Sequence, residues 1–386
     1  MISSKEIIKQ LFKDHFQAEP IIVRSPGRIN IIGEHTDYNE GYVLPAAIDK
    51  AAYVAISLRN DEEIHLKALD INETFSTTVS NLKPIGDVSW PNYILGSAAQ
   101  FLKRDIKLPG FNVLLTSDVP IGAGLSSSAA IECATVFALN HLLKTGIDRL
   151  TMVHMAQKAE HEYAGVMCGI MDQFASMMGK KNFVIKLDCR SLDHEYVPFK
   201  LEGFKVVLLN TSVKHSLASS EYNTRRKECE TAVGWVKGEV PGINSLRNVT
   251  EQMLNEHVLK KDPHIDKRGR YVVQEINRLV ESCNHLQSGN ILELGKNMFA
   301  THDGLSKMYE VSCKELDWLV DKVRYNPNVI GARMMGGGFG GCTINLVKEN
   351  AVEELLTTLT PAYEKEMELP LTYYVASIDD GTELIA

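Results

Sequence analysis

Residues 24–45, RSPGRINIIGEHTDYNEGYVLP, set Arg28, Glu34, His35 and Asp37 between apolar runs and three glycines. A carboxylate accepts hydrogen bonds from two hydroxyls at fixed angles while a nearby arginine handles negative charge, so this density of polar groups suits a polyol substrate. A strand-like run over 29–32 feeds Gly33, where the chain can turn sharply and present Glu34, His35, Thr36 and Asp37 from one edge. A solvated hairpin tip would explain any one of these residues. It explains poorly an arginine, two acids and three glycines together.

A second stretch, PIGAGLSSSAA at 120–130, lies between a strand-like run over 111–116 and a helical pattern over 127–143. Gly122 and Gly124 let backbone N–H groups converge, the helix N-terminus adds partial positive charge, and Ser126, Ser127 and Ser128 supply hydroxyls. That is a recipe for a polyphosphate cradle. It is neither a Walker A loop, for want of Gly-Lys-Ser/Thr, nor a dinucleotide fingerprint, for want of a third glycine. Two acids follow: Glu160 near a helix end, and Asp172 among apolar neighbours beyond Gly165 and Gly169. One acid could join a serine hydroxyl and nucleotide phosphates around magnesium, and the other could act as a general base. Near the C-terminus, MMGGGFGGC at 334–342 reads as a glycine loop packed against the phosphate loop, because two methionines and a phenylalanine do not suit a solvent-exposed tip.

The elements that must position these groups alternate in type. Strands are expected over 52–58, 183–187, 204–209, 342–347 and 371–376, and helices over 150–163, 314–324 and 352–359. Residues 1–16 read as an amphipathic helix, and 221–305 as charged helices broken at Pro241-Gly242 and Asp262-Pro263. At 386 residues the chain exceeds the usual span of one core, so two domains are expected, 1–205 and 206–386. A formal charge of −8 argues against general nucleic-acid binding. No apolar run is long enough for a bilayer, and seven scattered cysteines point to a reduced, cytoplasmic interior rather than to disulfides or zinc.

With these stretches in view, the chain resembles the galactokinase family of the GHMP small-molecule kinases. GRINIIGEHTDYNEGYVLP is similar to that family's signature, PIGAGLSSSAA to the superfamily's phosphate loop, and GGGFGG to its third motif. The resemblance implies an α+β, two-domain GHMP fold: an N-terminal domain like domain 2 of ribosomal protein S5, a ferredoxin-like C-terminal domain, and an active site between them. It implies ATP-dependent phosphorylation of the C1 hydroxyl of α-D-galactose, the first committed step of the Leloir pathway. By position, Arg28 would stabilise the transferring phosphoryl group, and Asp172 would sit beside the anomeric hydroxyl as the catalytic acid-base group. Glu34, His35 and Asp37, with their neighbour Thr36, and Tyr222 in SEYNTRR would hold the sugar. Gly122, Ala123, Gly124, Leu125, Ser126, Ser127 and Ser128 would bind ATP, and Ser128 with Glu160 would hold Mg2+. The expected partners are D-galactose and MgATP, with no nucleic acid, no membrane and a monomeric enzyme. The alternatives are an N-acetylgalactosamine kinase and a non-catalytic galactose-sensing regulator; the intact Ser128-Ala129 pair favours catalysis.

Overall fold

The computed structural model describes residues 4–86, 90–120, 122–213 and 218–385, without the side chains of 218–220. Met1 to Ser3 of the expected N-terminal helix and Ile121 of the glycine-serine loop lie outside the described residues. The chain begins with α1 (Lys5–Phe16), β1 (Ile21–Asn30), β2 (Tyr42–Val43), β3 (Pro45–Leu58), β4 (Glu63–Ala68) and β5 (Glu73–Thr78). It continues through α2 (Pro91–Leu102), β6 (Phe111–Ser117), α3 (Ser127–Leu143), α4 (Arg149–Ala159), α5 (Met171–Met178), β7 (Phe183–Asp188) and β8 (His194–Pro198). The second half runs β9 (Phe204–Asn210), α6 (Ala218–Lys237), α7 (Glu251–His257), α8 (Pro263–Gln287), α9 (Ile291–Gly304) and α10 (Lys314–Val323). It closes with β10 (Val329–Met334), β11 (Cys342–Lys348), α11 (Val352–Met367), β12 (Thr372–Ala376) and β13 (Glu383–Leu384).

A six-stranded sheet of order β13-β1-β3-β6-β4-β5 carries α2 to α5 over one hydrophobic core, and a four-stranded antiparallel sheet, β10-β11-β9-β12, organises the second half. β3 is buried along most of its length, and α3 can lie on the sheet because its inner turns are small residues, Ala129, Ala130, Cys133, Ala134 and Ala138. A second core joins the two halves: Ile29, Ile31 and Leu44 meet Leu208, Ile344 and Leu279 there, together with Ala123 and Leu125 of the glycine-serine loop. The site's two loops are thus rooted in packed apolar residues on both sides of the seam.

Local chemistry accounts for several boundaries. Asp262 caps α8 by accepting from the N–H groups of His264 and Ile265, with Pro263 in the first turn where its missing N–H costs nothing. The expected break at Asp262-Pro263 is therefore a helix start. The expected helix over 150–163 is α-helical only to Ala159, then widens into a π-turn at Glu160–Ala164 that ends on Gly165 in the left-handed region. The helix expected to stop at 359 runs on through Pro361 to Met367, because Tyr363 extends its buried face and its hydroxyl donates to the Thr211 carbonyl at 2.9 Å. The strand expected over 29–32 leaves the sheet after Asn30, while Ile31 still donates to the Leu44 carbonyl. All seven cysteines are free thiols, and among the described residues no helix is long and apolar enough to cross a membrane.

Candidate active site

Arg28, near the end of β1, and Asp172, in the first turn of α5, form a bidentate ion pair. Nε lies 2.7 Å from Oδ1 and Nη2 lies 2.8 Å from Oδ2. Nη1 donates to the Gly124 carbonyl at 2.5 Å, and the Arg28 N–H donates to the Leu125 carbonyl at 3.0 Å. Ser126 Oγ donates to Asp172 Oδ2. The guanidinium is 6% exposed, so burial works against its charge, but the adjacent carboxylates outweigh that cost and hold it firmly protonated. This cluster ties the sugar-like signature, the glycine-serine loop and the buried acid into one unit.

The loop has an alternating construction. Ala123 and Leu125 are buried and anchor it, while Gly122 (φ 75°) and Gly124 (φ 73°) are exposed and have nothing within 4 Å of where a Cβ would stand. Backbone conformation, not space, therefore requires glycine at both positions. Ser126 also adopts the left-handed region (φ 59°) as it leads into α3, leaving Ser127 and Ser128 in the first turn, beside unpaired N–H groups that attract phosphate.

Ser128 Oγ donates to Glu160 Oε1 at 2.9 Å. The other Glu160 oxygen accepts from Gln173 Nε2 at 2.6 Å and from the Cys168 thiol at 3.4 Å. Burial, and then the charge of Asp172, raises the Glu160 pKa, and fully buried Glu132, which accepts from the same Gln173 nitrogen at 3.1 Å, is raised well above the carboxylate range by burial. A hydroxyl and a carboxylate oxygen, with crowded negative charge that a divalent cation would relieve, fit magnesium. Magnesium takes few ligands from protein oxygens and the rest from phosphates and water.

Beside the ion pair lies a cavity of about 410 Å³ lined by Arg28, Glu34, His35, Asp37, Asp172 and Tyr222, with the 165–169 loop and Gly336 to Gly338 completing the wall. Glu34 Oε1 is held by Arg333 Nη1 and Nη2 at 3.1 and 3.0 Å and by the Gly336 N–H at 2.9 Å. Among the described residues Oε2 has no hydrogen-bond donor, which leaves it for a ligand. Arg333 is wholly buried on β10 and also donates to the carbonyls of Ile31, Asn30 and Met334. His35 sits in the left-handed region (φ 62°) with its pKa lowered to about 4 by burial, so its ring is neutral at pH 7. Asp37 keeps some solvent contact, yet burial, reinforced by the charges of Asp172 and Glu34, raises its pKa to about 6. A Cβ on Gly169 would stand 2.2 Å from Asp37 Oδ2, so glycine there lets the loop close over the carboxylate.

One expected ligand is placed elsewhere. Thr36 is fully buried with its hydroxyl donating to the Gly33 and Tyr42 carbonyls; it holds the turn and does not line the cavity. The Gly336–Gly341 loop is packed, as its composition suggested; its contacts include Glu34, Tyr222, and the backbone of Val311 and Val213. Sequence reading missed Arg333, Gln173, Tyr38 and Tyr309. Arg333 did leave a signal, since a lone arginine in the apolar run VIGARMM must find a partner if that strand is buried.

Family models match along most of this framework: the galactokinase galactose-binding signature over residues 10–58, the GHMP kinases N terminal domain over 92–180 and the GHMP kinases C terminal model over 265–365. A galactokinase of Thermotoga maritima is 40% identical over 363 residues, spanning 94% of this chain and 99% of the relative. One from Clostridium acetobutylicum is 38% identical over 384 residues, 98% of each chain. The crystal structure of Lactococcus lactis galactokinase complexed with galactose superposes with a TM-score of 0.93 at 33% identity, covering 98% of this chain and 99% of that one. The Methanococcus jannaschii mevalonate kinase shares the fold, with a TM-score of 0.67 at 19% identity over 94% of this chain and all of the other.

Proposed function

The chain belongs to the galactokinase family of the GHMP kinases, and on that premise we propose that its cavity takes α-D-galactose and that its loop delivers ATP for phosphorylation at the C1 hydroxyl. The products are α-D-galactose 1-phosphate and ADP. The observation that carries this reading is the Arg28–Asp172 pair, which lines the sugar-sized cavity and at the same time holds Gly124 and Ser126 of the phosphate loop. The two substrates must meet there.

The side chains then divide the work. Glu34 through Oε2, His35, Asp37 and Tyr222 engage sugar hydroxyls, and Asp172 receives the C1 hydroxyl proton as that oxygen attacks the γ-phosphorus of ATP. Protonation of Asp172 removes the anion that Arg28 is paired with, which frees the guanidinium to follow negative charge onto the transferring phosphoryl oxygens. The N–H groups from Gly122 to Ser128 hold the phosphates of ATP and fix the γ-phosphorus for attack. Magnesium held by Ser128 and Glu160 would supply electrostatic neutralisation of the phosphate oxygens. The division into lobes near residue 205 is supported by β9, which opens the second sheet; β13 returns to pair with β1 in the first.

ADP release measured with galactose, ATP and magnesium together, and with each omitted in turn, tests the reading. The expected result is turnover only with all three and a phosphate ester on the α-anomeric oxygen. Galactose-independent ATP hydrolysis, or faster turnover with N-acetylgalactosamine, would overturn it.

A further inference from the structure

Behind the cavity four side chains form an unbroken hydrogen-bonded chain. Cys229 Sγ lies 3.2 Å from Tyr309 Oη, Tyr309 Oη lies 2.7 Å from Tyr38 Oη, and Tyr38 Oη lies 2.9 Å from His35 Nδ1. The residues come from both halves: His35 and Tyr38 follow β1, Cys229 is on α6, and Tyr309 closes a π-turn after α9. The chain ends at His35 Nε2, a buried atom with no hydrogen-bond partner, on a residue that lines the cavity. The rings pack as well as bond, with His35 4.9 Å from Tyr309 and 5.9 Å from Tyr38 between centroids.

Each phenol has one proton, so the chain must run in a single direction. In one direction the thiol donates to Tyr309, Tyr309 to Tyr38, and Tyr38 to the imidazole nitrogen, a strong acceptor. In the other, the ring N–H donates to Tyr38 and the last phenol proton rests on sulfur, a weak acceptor. The first direction gives every strong donor a strong acceptor. It places the single proton of the neutral ring on Nε2.

We propose that Tyr38, Tyr309 and Cys229 are positioning residues that lock His35 as its Nε2–H tautomer, making it a hydrogen-bond donor to a sugar oxygen. The flanking carboxylates of Glu34 and Asp37 accept when ionised. The cavity therefore presents acceptors beside a neutral ring donor fixed at His35, and it discriminates against sugars that lack an oxygen opposite that ring. Discrimination of this kind rests on the galactose reading; the tautomer itself does not.

Nitrogen-15 NMR of the His35 ring in the sugar-free protein reads the tautomer directly, whatever the substrate proves to be. The expected result is Nε2–H in the wild type; an Nδ1–H ring would overturn the proposal without any variant being made. In Tyr38→Phe the lost donor lets both tautomers populate, and if they do so equally KM for galactose rises about twofold with kcat within about twofold, so the ring signal is the decisive readout. A folded Tyr38→Phe protein with the wild-type tautomer and KM would also overturn it. Tyr309→Phe removes the donor that turns the Tyr38 proton toward Nδ1, so both tautomers should populate there too; a folded Tyr309→Phe protein that keeps Nε2–H alone would overturn the role given to Tyr309 and Cys229.

Discussion

Replacing Asp172 by asparagine separates the two consequences of the Arg28–Asp172 pair. The structure gives the carboxylate three donors to satisfy, Arg28 Nε and Nη2 and the Ser126 hydroxyl. Asparagine keeps one acceptor oxygen, turns an NH2 toward groups that also donate, and leaves a 6% exposed guanidinium without its counter-charge. Breaking a buried pair in this way destabilises by about 3–5 kcal/mol, read as a lower urea midpoint. The chemical loss is separate: without the proton acceptor, kcat should fall about 10²–10⁴-fold, equivalent to about 3–5 kcal/mol of barrier. Arg28→Ala should lower kcat about 10²–10³-fold by removing the charge that meets the phosphoryl oxygens. Because each residue holds the other, the double variant should be about as slow as the slower single variant, not slower by the product of both factors. ADP-coupled assays at saturating galactose, ATP and magnesium, on proteins shown to be folded at the assay temperature, measure all three. Wild-type turnover in folded Asp172→Asn would refute the proton-acceptor role, and a multiplicative double variant would refute the idea that the pair acts as a unit.

The remaining tests address the pocket wall and the loops. Asp37, with its pKa raised to about 6, should lose its accepting charge as pH falls, so KM for galactose should rise below about pH 6 and Asp37→Asn should flatten that profile. The sign for stability is opposite: a carboxyl whose folded pKa exceeds its ordinary 3.8 contributes fully below that value and loses the contribution as pH rises through about 6, so sugar-free Asp37→Asn should gain up to about 3 kcal/mol at pH 7 by denaturant titration. Arg333→Met should lower stability by about 3–5 kcal/mol, and adding Glu34→Gln should recover part of it, because the first change strands a buried carboxylate. Gly124→Ala meets only backbone strain, about 1–2 kcal/mol, and should fold with a raised KM for ATP; Gly338→Ala would set a methyl 2.1 Å from the Val311 carbonyl oxygen and should lose more stability, as compared by thermal melting.

What the sequence disclosed and what it hid divide along a physical line. α3 was legible at both ends, because a glycine-serine loop and a continuous run of small apolar residues mark it locally. Glu34, His35, Asp37, Asp172 and the loop glycines stood out because acids, an imidazole and glycines are crowded into short windows between apolar runs. Thr36 was misplaced for the converse reason. Its neighbours line the cavity, but its own hydroxyl is turned to two carbonyls of the turn, a fact set by folded geometry and not by composition.

The residues that escaped notice have one feature in common, since each hydrogen-bonds another side chain of the site. Arg333 fixes Glu34 across 299 positions, Tyr309 reaches Tyr38 across 271, and Gln173 holds Glu160 from the next helix. Such partners need no local motif, because any element that the fold brings within hydrogen-bond distance can supply them. Their contribution is large all the same, because a buried carboxylate or imidazole without a partner would change its pKa, turn, or go neutral. The three motifs grafted onto another scaffold would therefore carry the ligand-touching atoms without their protonation states. Glu34 without Arg333 would be a costly buried charge, and His35 would keep Tyr38 from its own motif but lose the Tyr309 hydroxyl that orders the Tyr38 proton. Reading sugar chemistry from the motifs names the contacts; only the long-range pairs of this fold decide which of those contacts donate and which accept.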